Sequence, residues 1–75
     1  MEGIISVGTK VTYRGCFGMD APKNAVVTGI ERSNEMRDKY GYPVEDVLFD
    51  EREYCVFNLN DGHWCYGEQI DAIAD

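Results

Sequence analysis

Polar and apolar residues alternate along much of this chain with the period of two that is typical of β-strands. Residues 8–15, Gly-Thr-Lys-Val-Thr-Tyr-Arg-Gly, alternate in this way between two glycines, which predicts a half-buried strand with Val11 and Tyr13 facing inward. Residues 24–32 predict a second strand, in which Gly29 indicates a bulge or a close approach of two backbones. The segment between these strands contains glycine, aspartate and proline and is typical of a loop.

Residues 33–43 are poor in apolar side chains and rich in charge. Polar residues at the start of this segment could cap one helical turn, but Gly41 and Pro43 would end it. We therefore predict a mobile surface loop here, with at most one helical turn. The apolar residues of segment 44–49 follow, and the pattern leaves open whether they form a short strand or an apolar plug.

Residues 54–69 predict a β-hairpin, because two apolar arms flank the turn sequence Asn60-Asp61-Gly62. Glycine accepts the positive φ that such a turn demands. After the hairpin, Ile70 and Ile73 are three residues apart, a spacing that suits one helical turn at the end of the fold. The whole pattern predicts a mostly β domain, a small barrel of about five strands with a short closing helical turn.

Two registers of this hairpin are open, and they differ in the residue that faces Leu59. In a two-residue loop Leu59 faces Trp64, and the rings of Trp64 and Tyr66 lie on the core face. In a three-residue loop Leu59 faces His63 instead. Trp64 and Tyr66 then lie on the opposite face, beside Tyr54. We favour the two-residue loop, because a chain of 75 residues can hardly spare a tryptophan from its core.

The charge of the chain is acidic and unevenly distributed. Seven basic and 14 acidic residues give a net charge of −7, and residues 40–75 carry nine acids against Arg52 alone, which is −8. Because nucleic-acid binding depends on Lys and Arg that neutralise phosphates, this balance argues against nucleic acid as a partner. If the protein did bind nucleic acid, Lys10, Arg14 and Lys23 would be the residues that contact the phosphates. The acidic half instead suits a polyanion-mimicking inhibitor that occupies the basic site of a nucleic-acid enzyme.

The three cysteines and the single histidine are the candidates for metal or nucleophilic chemistry. His63 and Cys65 are the one close pair among the four potential zinc ligands, whereas zinc sites usually have two. Cys55 and Cys65 do not fit a disulfide. Their side chains point to opposite faces of the sheet in the two-residue register, and in the three-residue register they are diagonal, about 7–8 Å apart. The acidic residues match no calcium-binding loop. We therefore expect no catalytic residue, no metal, no cofactor and no enzymatic activity.

The length of the chain indicates a single domain over residues 1–75. Its apolar segments fall short of the roughly 18 residues of a membrane span, and its first residues do not match a signal peptide. An odd number of cysteines without a Cys-x-x-Cys motif suits a reducing compartment. We expect a cytoplasmic protein without membrane contact, either monomeric or weakly dimeric through exposed strand edges.

The order of the predicted elements resembles an SH3-like small β-barrel, of the kind found in KOW, Tudor and related bacterial or phage modules. The resemblance rests on Gly8-Thr9-Lys10-Val11, on residues 26–30, on the turn Asn60-Asp61-Gly62 and on Glu68-Gln69-Ile70. Such barrels usually bind peptides, modified side chains or nucleic acid and rarely catalyse. The resemblance therefore implies a non-catalytic protein-interaction module with a protein partner.

The surface that we expect to contact this partner combines aromatic residues from the first strand, the first loop and the hairpin. These residues are Tyr13, Phe17, Tyr54, Trp64 and Tyr66.

Overall fold

The computed structural model describes residues 3–36 and 41–74, and within them the chain is mostly β-structure, as the sequence predicts. Eight strands occur in these residues, because β-branched and aromatic side chains recur at alternate positions between turn-forming residues. The strands are β1 (Ile4–Ser6), β2 (Lys10–Tyr13), β3 (Lys23–Arg32), β4 (Tyr42–Val44), β5 (Asp46–Leu48), β6 (Cys55–Leu59), β7 (Trp64–Tyr66) and β8 (Ile70–Ile73). Short helical segments cover Gly15–Gly18, Phe49–Tyr54 and Gly67–Gln69.

The strands form two antiparallel sheets. The larger sheet has the order β7-β6-β3-β2-β8, with β4 also paired to β3, and the smaller sheet pairs β1 with β5. Strand β3 pairs with β2 through its first residues and with β4 and β6 through its last. Its register against β6 shifts between Val27 and Gly29, which confirms the predicted bulge. No strand pairing among the described residues closes the sheets into a barrel.

The inner faces of the two sheets enclose one apolar core. Val11 and Tyr13 face inward as predicted and are 0% and 1% exposed. Ile5 of β1 is equally buried, although the sequence pattern predicts no strand before residue 8. The buried cluster contains Ile5, Val11, Tyr13, Ala25, Val27, Ile30, Val47, Cys55, Phe57, Leu59, Cys65 and Ile70. Its two cysteines act as small apolar side chains.

The predicted loop over residues 33–43 is partly strand. Tyr42–Val44 forms β4 and pairs with the end of β3, where Pro43 is tolerated because β4 lies at an edge of the sheet. Gly41 approaches β3 so closely that a Cβ atom there would collide with the carbonyl oxygen of Arg32. Residues 37–40, which also belong to that prediction, lie outside the described residues. Of the two interpretations of segment 44–49, the short strand is confirmed as β5.

The closing segment differs from the prediction. Ile70 and Ile73 lie in strand β8, and the helical turn comes before them, at Gly67–Gln69. Tyr13 pairs with Ile70 and Val11 pairs with Ile73, with a shift of register between these two pairs. Because of this irregularity, Ile70 and Ile73 both pair with inward-facing residues of β2, although they are an odd number of residues apart. A spacing of three therefore arose here from a bulged strand rather than from a helix.

The hairpin is confirmed, but the two-residue loop that we favour is wrong. The N–H of Leu59 donates a hydrogen bond of 2.9 Å to the carbonyl oxygen of His63, so the loop has three residues. Gly62 has a φ of 87° and supplies the left-handed position of this loop. In this register the small side chain of Cys65 lies in the core, and Trp64 is 45% exposed on the outer face. The core is therefore complete without the tryptophan.

Candidate binding surface

The side chains of the hairpin turn attach it to the neighbouring strands. Asn60 donates its N–H to the carbonyl oxygen of Val26 and accepts the Val26 N–H on its Oδ1 atom, both at 2.9 Å. Asp61 accepts hydrogen bonds from the Tyr13 hydroxyl at 2.6 Å and from the His63 N–H at 3.0 Å. The contacts to β2 and β3 bridge residues far apart in the chain, so they stabilise the three-residue loop beyond its local preference.

Three aromatic rings lie together on the outer surface beside this turn. Trp64 meets Tyr66 edge to face, with 5.2 Å between the ring centroids, and Phe17 stacks on Tyr66 at 6.5 Å. Phe17 is 70% exposed and Trp64 45%, while Tyr66 between them is half-buried. We refer to Phe17, Trp64 and Tyr66 as the aromatic cluster. Aromatic pairs at such distances hold each other in place and leave large apolar faces accessible.

A strained turn presents Phe17 to this cluster. Cys16 and Phe17 have φ values of 53° and 57°, in the left-handed region that residues with a Cβ atom avoid at a cost of about 1–2 kcal/mol each. The turn is closed by hydrogen bonds from the N–H groups of Met19 and Asp20 to the carbonyl oxygens of Cys16 and Gly15, at 3.1 and 3.2 Å. Strain of this kind is concentrated at functional sites in proteins.

A small pocket of about 120 Å³ adjoins the aromatic cluster. Tyr13 is one of its lining residues, and the Lys23 ammonium group lies 5.4 Å from the centroid of the Tyr13 ring, within the range of a cation–π contact. Trp64, His63 and Asp20 form part of its wall. The pocket therefore offers aromatic faces together with charges of both signs.

The electrostatics of the pocket centre on Tyr13 and Asp61. Partial burial opposes ionisation of Asp61, but hydrogen bonds from the Tyr13 hydroxyl and the His63 N–H outweigh it and lower the pKa of this carboxyl group. Burial, together with the bond to Asp61, raises the pKa of Tyr13. His63 Nδ1 lies 3.4 Å from Asp61 Oδ1. The turn thus carries a fixed negative charge next to the aromatic cluster.

Two of the five residues predicted for the binding surface lie apart from the aromatic cluster. Tyr13 is in the core, 1% exposed, and is one of the residues that line the pocket. Tyr54 is half-buried immediately before β6. Its ring lies 5.8 Å from the guanidinium carbon of Arg32, and its carbonyl oxygen accepts the Ser33 N–H. Phe17, Trp64 and Tyr66 are brought together.

The sequence pattern does not predict a second, larger depression on the same sheet. A groove of about 410 Å³ is bounded by the bulge at Gly29, by Asn58 of β6 and by the end of β4 with Glu45 after it. We refer to it as the β4 groove. Its lining residues are Val7, Gly29, Ile30, Glu31, Pro43, Val44, Glu45 and Asn58. The bulge was the one sequence signal that could have indicated it, because a bulge bends a strand away from its neighbour.

The cysteines differ sharply in accessibility. Burial raises the pKa of the Cys55 thiol to about 11 and that of Cys65 to about 12, whereas Cys16 is exposed in the strained turn. All three thiols are free. Among residues 3–36 and 41–74, no group of three or more His, Cys, Asp and Glu side chains is placed to hold a metal ion.

Comparison of the chain with protein-family models, curated proteins and solved structures finds no match in any of the three. In the part of the chain that the structure describes, no helix has the length and apolar character needed to cross a membrane. The strands and their pairing establish the fold class, a small, mostly β domain of antiparallel sheets.

Proposed function

We propose that this protein is a non-catalytic interaction module of the SH3-like kind, which binds another protein through the aromatic cluster. The observation that supports this proposal is the exposure of Trp64, which the three-residue loop places on the outer face beside Phe17 and Tyr66. Tryptophan and tyrosine are the residues most enriched among those that dominate binding energy at protein interfaces.

The cluster also has the rigidity that a binding surface needs. Phe17 is fixed by a closed turn, and Trp64 and Tyr66 project from adjacent positions on one face of β7. Because these rings are already ordered, binding loses little side-chain entropy. The strain at Cys16 and Phe17 adds to the proposal, since a backbone conformation that costs free energy is retained most readily where it serves a contact.

Capture of partners by the immobilised protein tests this proposal. The Trp64→Ala variant should lose the partners that the wild-type protein retains, while a Tyr42→Ala variant should keep them. Tyr42 is a suitable control because it is also an exposed aromatic residue, 53% accessible, on the far edge strand β4. Circular dichroism should first show that both variants are folded. If the Trp64→Ala protein retains the same partners, the aromatic cluster is not the binding surface.

An acidic, polyanion-mimicking inhibitor is the second candidate function. It is favoured by the state of Arg52, whose guanidinium group donates to the carbonyl oxygens of Ile70 and Phe49, both at 3.0 Å, and covers the Phe49 ring. Arg52 is therefore in no ion pair with a described carboxylate. Glu51 and Asp71 of this half are paired with Arg32 and Arg14, while the exposed Asp46 and Asp50 contribute to its negative field. Binding to a basic partner should then weaken steeply with added salt, and binding that is indifferent to salt would exclude this candidate.

The nucleic-acid alternative has less support. Arg14 is paired with Asp71 at 2.8 Å, and Lys23 lies over the ring of Tyr13, so two of the three basic residues that would contact phosphates are already engaged. A gel-shift experiment at micromolar protein should show no retardation of DNA or RNA.

A further inference from the structure

The β4 groove and the aromatic cluster lie on one continuous face of the larger sheet. Gly29, Asn58 and Trp64 are cross-strand partners in one row across β3, β6 and β7, and paired residues project to the same side of a sheet. A second row contains Pro43, Glu31, Val56 and Tyr66. The aromatic cluster therefore forms one end of this face, and the groove forms the other.

The lining of the β4 groove combines an apolar floor with negative charge. Val7 and Pro43 supply exposed apolar surface, and Val7 is 50% exposed, whereas the half-buried Val44 packs against the core. Among residues 3–36 and 41–74, the charged residues of the lining are Glu31 and Glu45, and no lysine or arginine belongs to it. Within residues 3–36 and 41–74, neither carboxylate is in an ion pair. The groove is thus complementary to a side chain with an apolar stem and a cationic end.

We propose that the β4 groove binds a lysine or arginine side chain from an extended segment of the partner protein, whose apolar or aromatic side chain rests on the aromatic cluster. This inference depends on the proposed function, because it names the chemistry of the partner that the aromatic cluster binds. Long cationic side chains pack their methylene groups on apolar surface and keep the charge at a polar rim. The exposed amide of Asn58, which lines the groove beside Trp64, would bind the backbone of the segment.

The spacing of the two anchors follows from the geometry of the sheet. Adjacent strands lie about 4.8 Å apart, so the distance from β7 across β6 and β3 to β4 is about 14 Å. An extended chain rises about 3.3 Å per residue, which makes this distance equal to about four residues. Residues four apart in an extended segment point to the same side. The basic residue should therefore precede or follow the apolar residue by about four positions.

Selection from a displayed library of random peptides tests the inference without knowledge of the natural partner. The probe is a library of peptides of about twelve residues, selected separately on the wild-type protein, on Glu31→Gln/Glu45→Gln and on Asp50→Asn/Asp71→Asn. The last variant is the control for net charge, because it removes two exposed carboxylates outside the groove, although Asp71 is also paired with Arg14. Wild type and control should enrich a basic residue about four positions from an apolar one, and the groove variant should keep only the apolar preference.

The selected peptides then give a quantitative result. Their affinity should fall about five- to tenfold for Glu31→Gln/Glu45→Gln and less than about twofold for Asp50→Asn/Asp71→Asn. Equal losses in the two variants would overturn the inference, since they would reflect net charge alone. Peptides that lose affinity only with Trp64→Ala would overturn the assignment of the groove as a binding site, but they would support binding through the aromatic cluster. Failure to enrich any peptide family, or binding that is insensitive to all these variants, would overturn both proposals.

Discussion

Asn58 of β6 and Trp64 of β7 are direct cross-strand partners, and their side chains share the outer face of the larger sheet. This pairing exists because the hairpin loop has three residues rather than two. A shift of one residue would exchange the two faces of β7. It would place Trp64 in the core and Cys65 outside, and the aromatic cluster would not form. The binding proposal thus depends on the length of a single loop.

The stability of Trp64 variants follows from its position. Trp64→Ala should reduce the free energy of unfolding by about 1–2 kcal/mol, because the ring is 45% exposed and packs edge to face against Tyr66. Phe57→Ala should cost about 3–5 kcal/mol, since Phe57 is fully buried. Urea unfolding followed by circular dichroism measures both values. A loss for Trp64→Ala as large as that for Phe57→Ala would contradict the exposed position of the tryptophan.

The Asp61 carboxylate should make stability depend on pH in the acid range. Its pKa is lowered in the folded protein, so the ionised form stabilises the fold, and this contribution is lost as the pH falls below about 4, through the folded-state pKa. The difference in unfolding free energy between wild type and Asp61→Asn should therefore be largest above pH 5 and shrink towards pH 2. A difference that is constant with pH would exclude this role.

The Tyr13 hydroxyl provides a second test of the same contact. Tyr13→Phe removes the donor that lies 2.6 Å from Asp61 and should cost about 1–2 kcal/mol near neutral pH. Because the two residues interact directly, the effects of Tyr13→Phe and Asp61→Asn should not add in the double variant. Strict additivity in urea unfolding at neutral pH would show that the bond does not stabilise the fold.

The three thiols should react at very different rates. Cys16 is exposed, whereas Cys55 and Cys65 are each 1% exposed and have a raised pKa because of burial. A disulfide reagent added to the reduced native protein at neutral pH should modify one thiol rapidly and the other two only after unfolding. The Cys16→Ser variant should show no rapid phase. Two or three rapid thiols in the native protein would contradict the core positions of Cys55 and Cys65.

Much of the fold can be predicted from local sequence patterns. The inward faces of Val11 and Tyr13, the bulge at Gly29 and the position of the hairpin all follow from alternation and from glycine placement. Strand β4 could not be predicted in this way, because its pairing partner Arg32 lies beyond a polar segment and its proline favours other structures. The spacing of three between Ile70 and Ile73 led to the prediction of a helical turn for a similar reason. The irregularity in the pairing of β8 with β2 is a property of two strands together and is not visible in the sequence of one.

The candidate site was predicted only in part, and for a related reason. Phe17, Trp64 and Tyr66 were expected on the surface as a group, but the register that exposes two of them was not. Asn60 and Asp61 stabilise that register through Val26 and Tyr13, which are remote in the chain. Local turn preferences allow both loop lengths, so only the tertiary contacts of the turn could decide between them.

Nuclear Overhauser effects across the hairpin test the central claim most directly. Residues that are directly opposite without exchanging hydrogen bonds bring their Cα atoms to about 4.5 Å, which places their Hα atoms in close contact. The structure predicts strong Hα–Hα effects between Asn58 and Trp64 and between Val56 and Tyr66. Strong cross-strand effects between Leu59 and Trp64 in their place would show a two-residue loop with a buried tryptophan and would contradict the account.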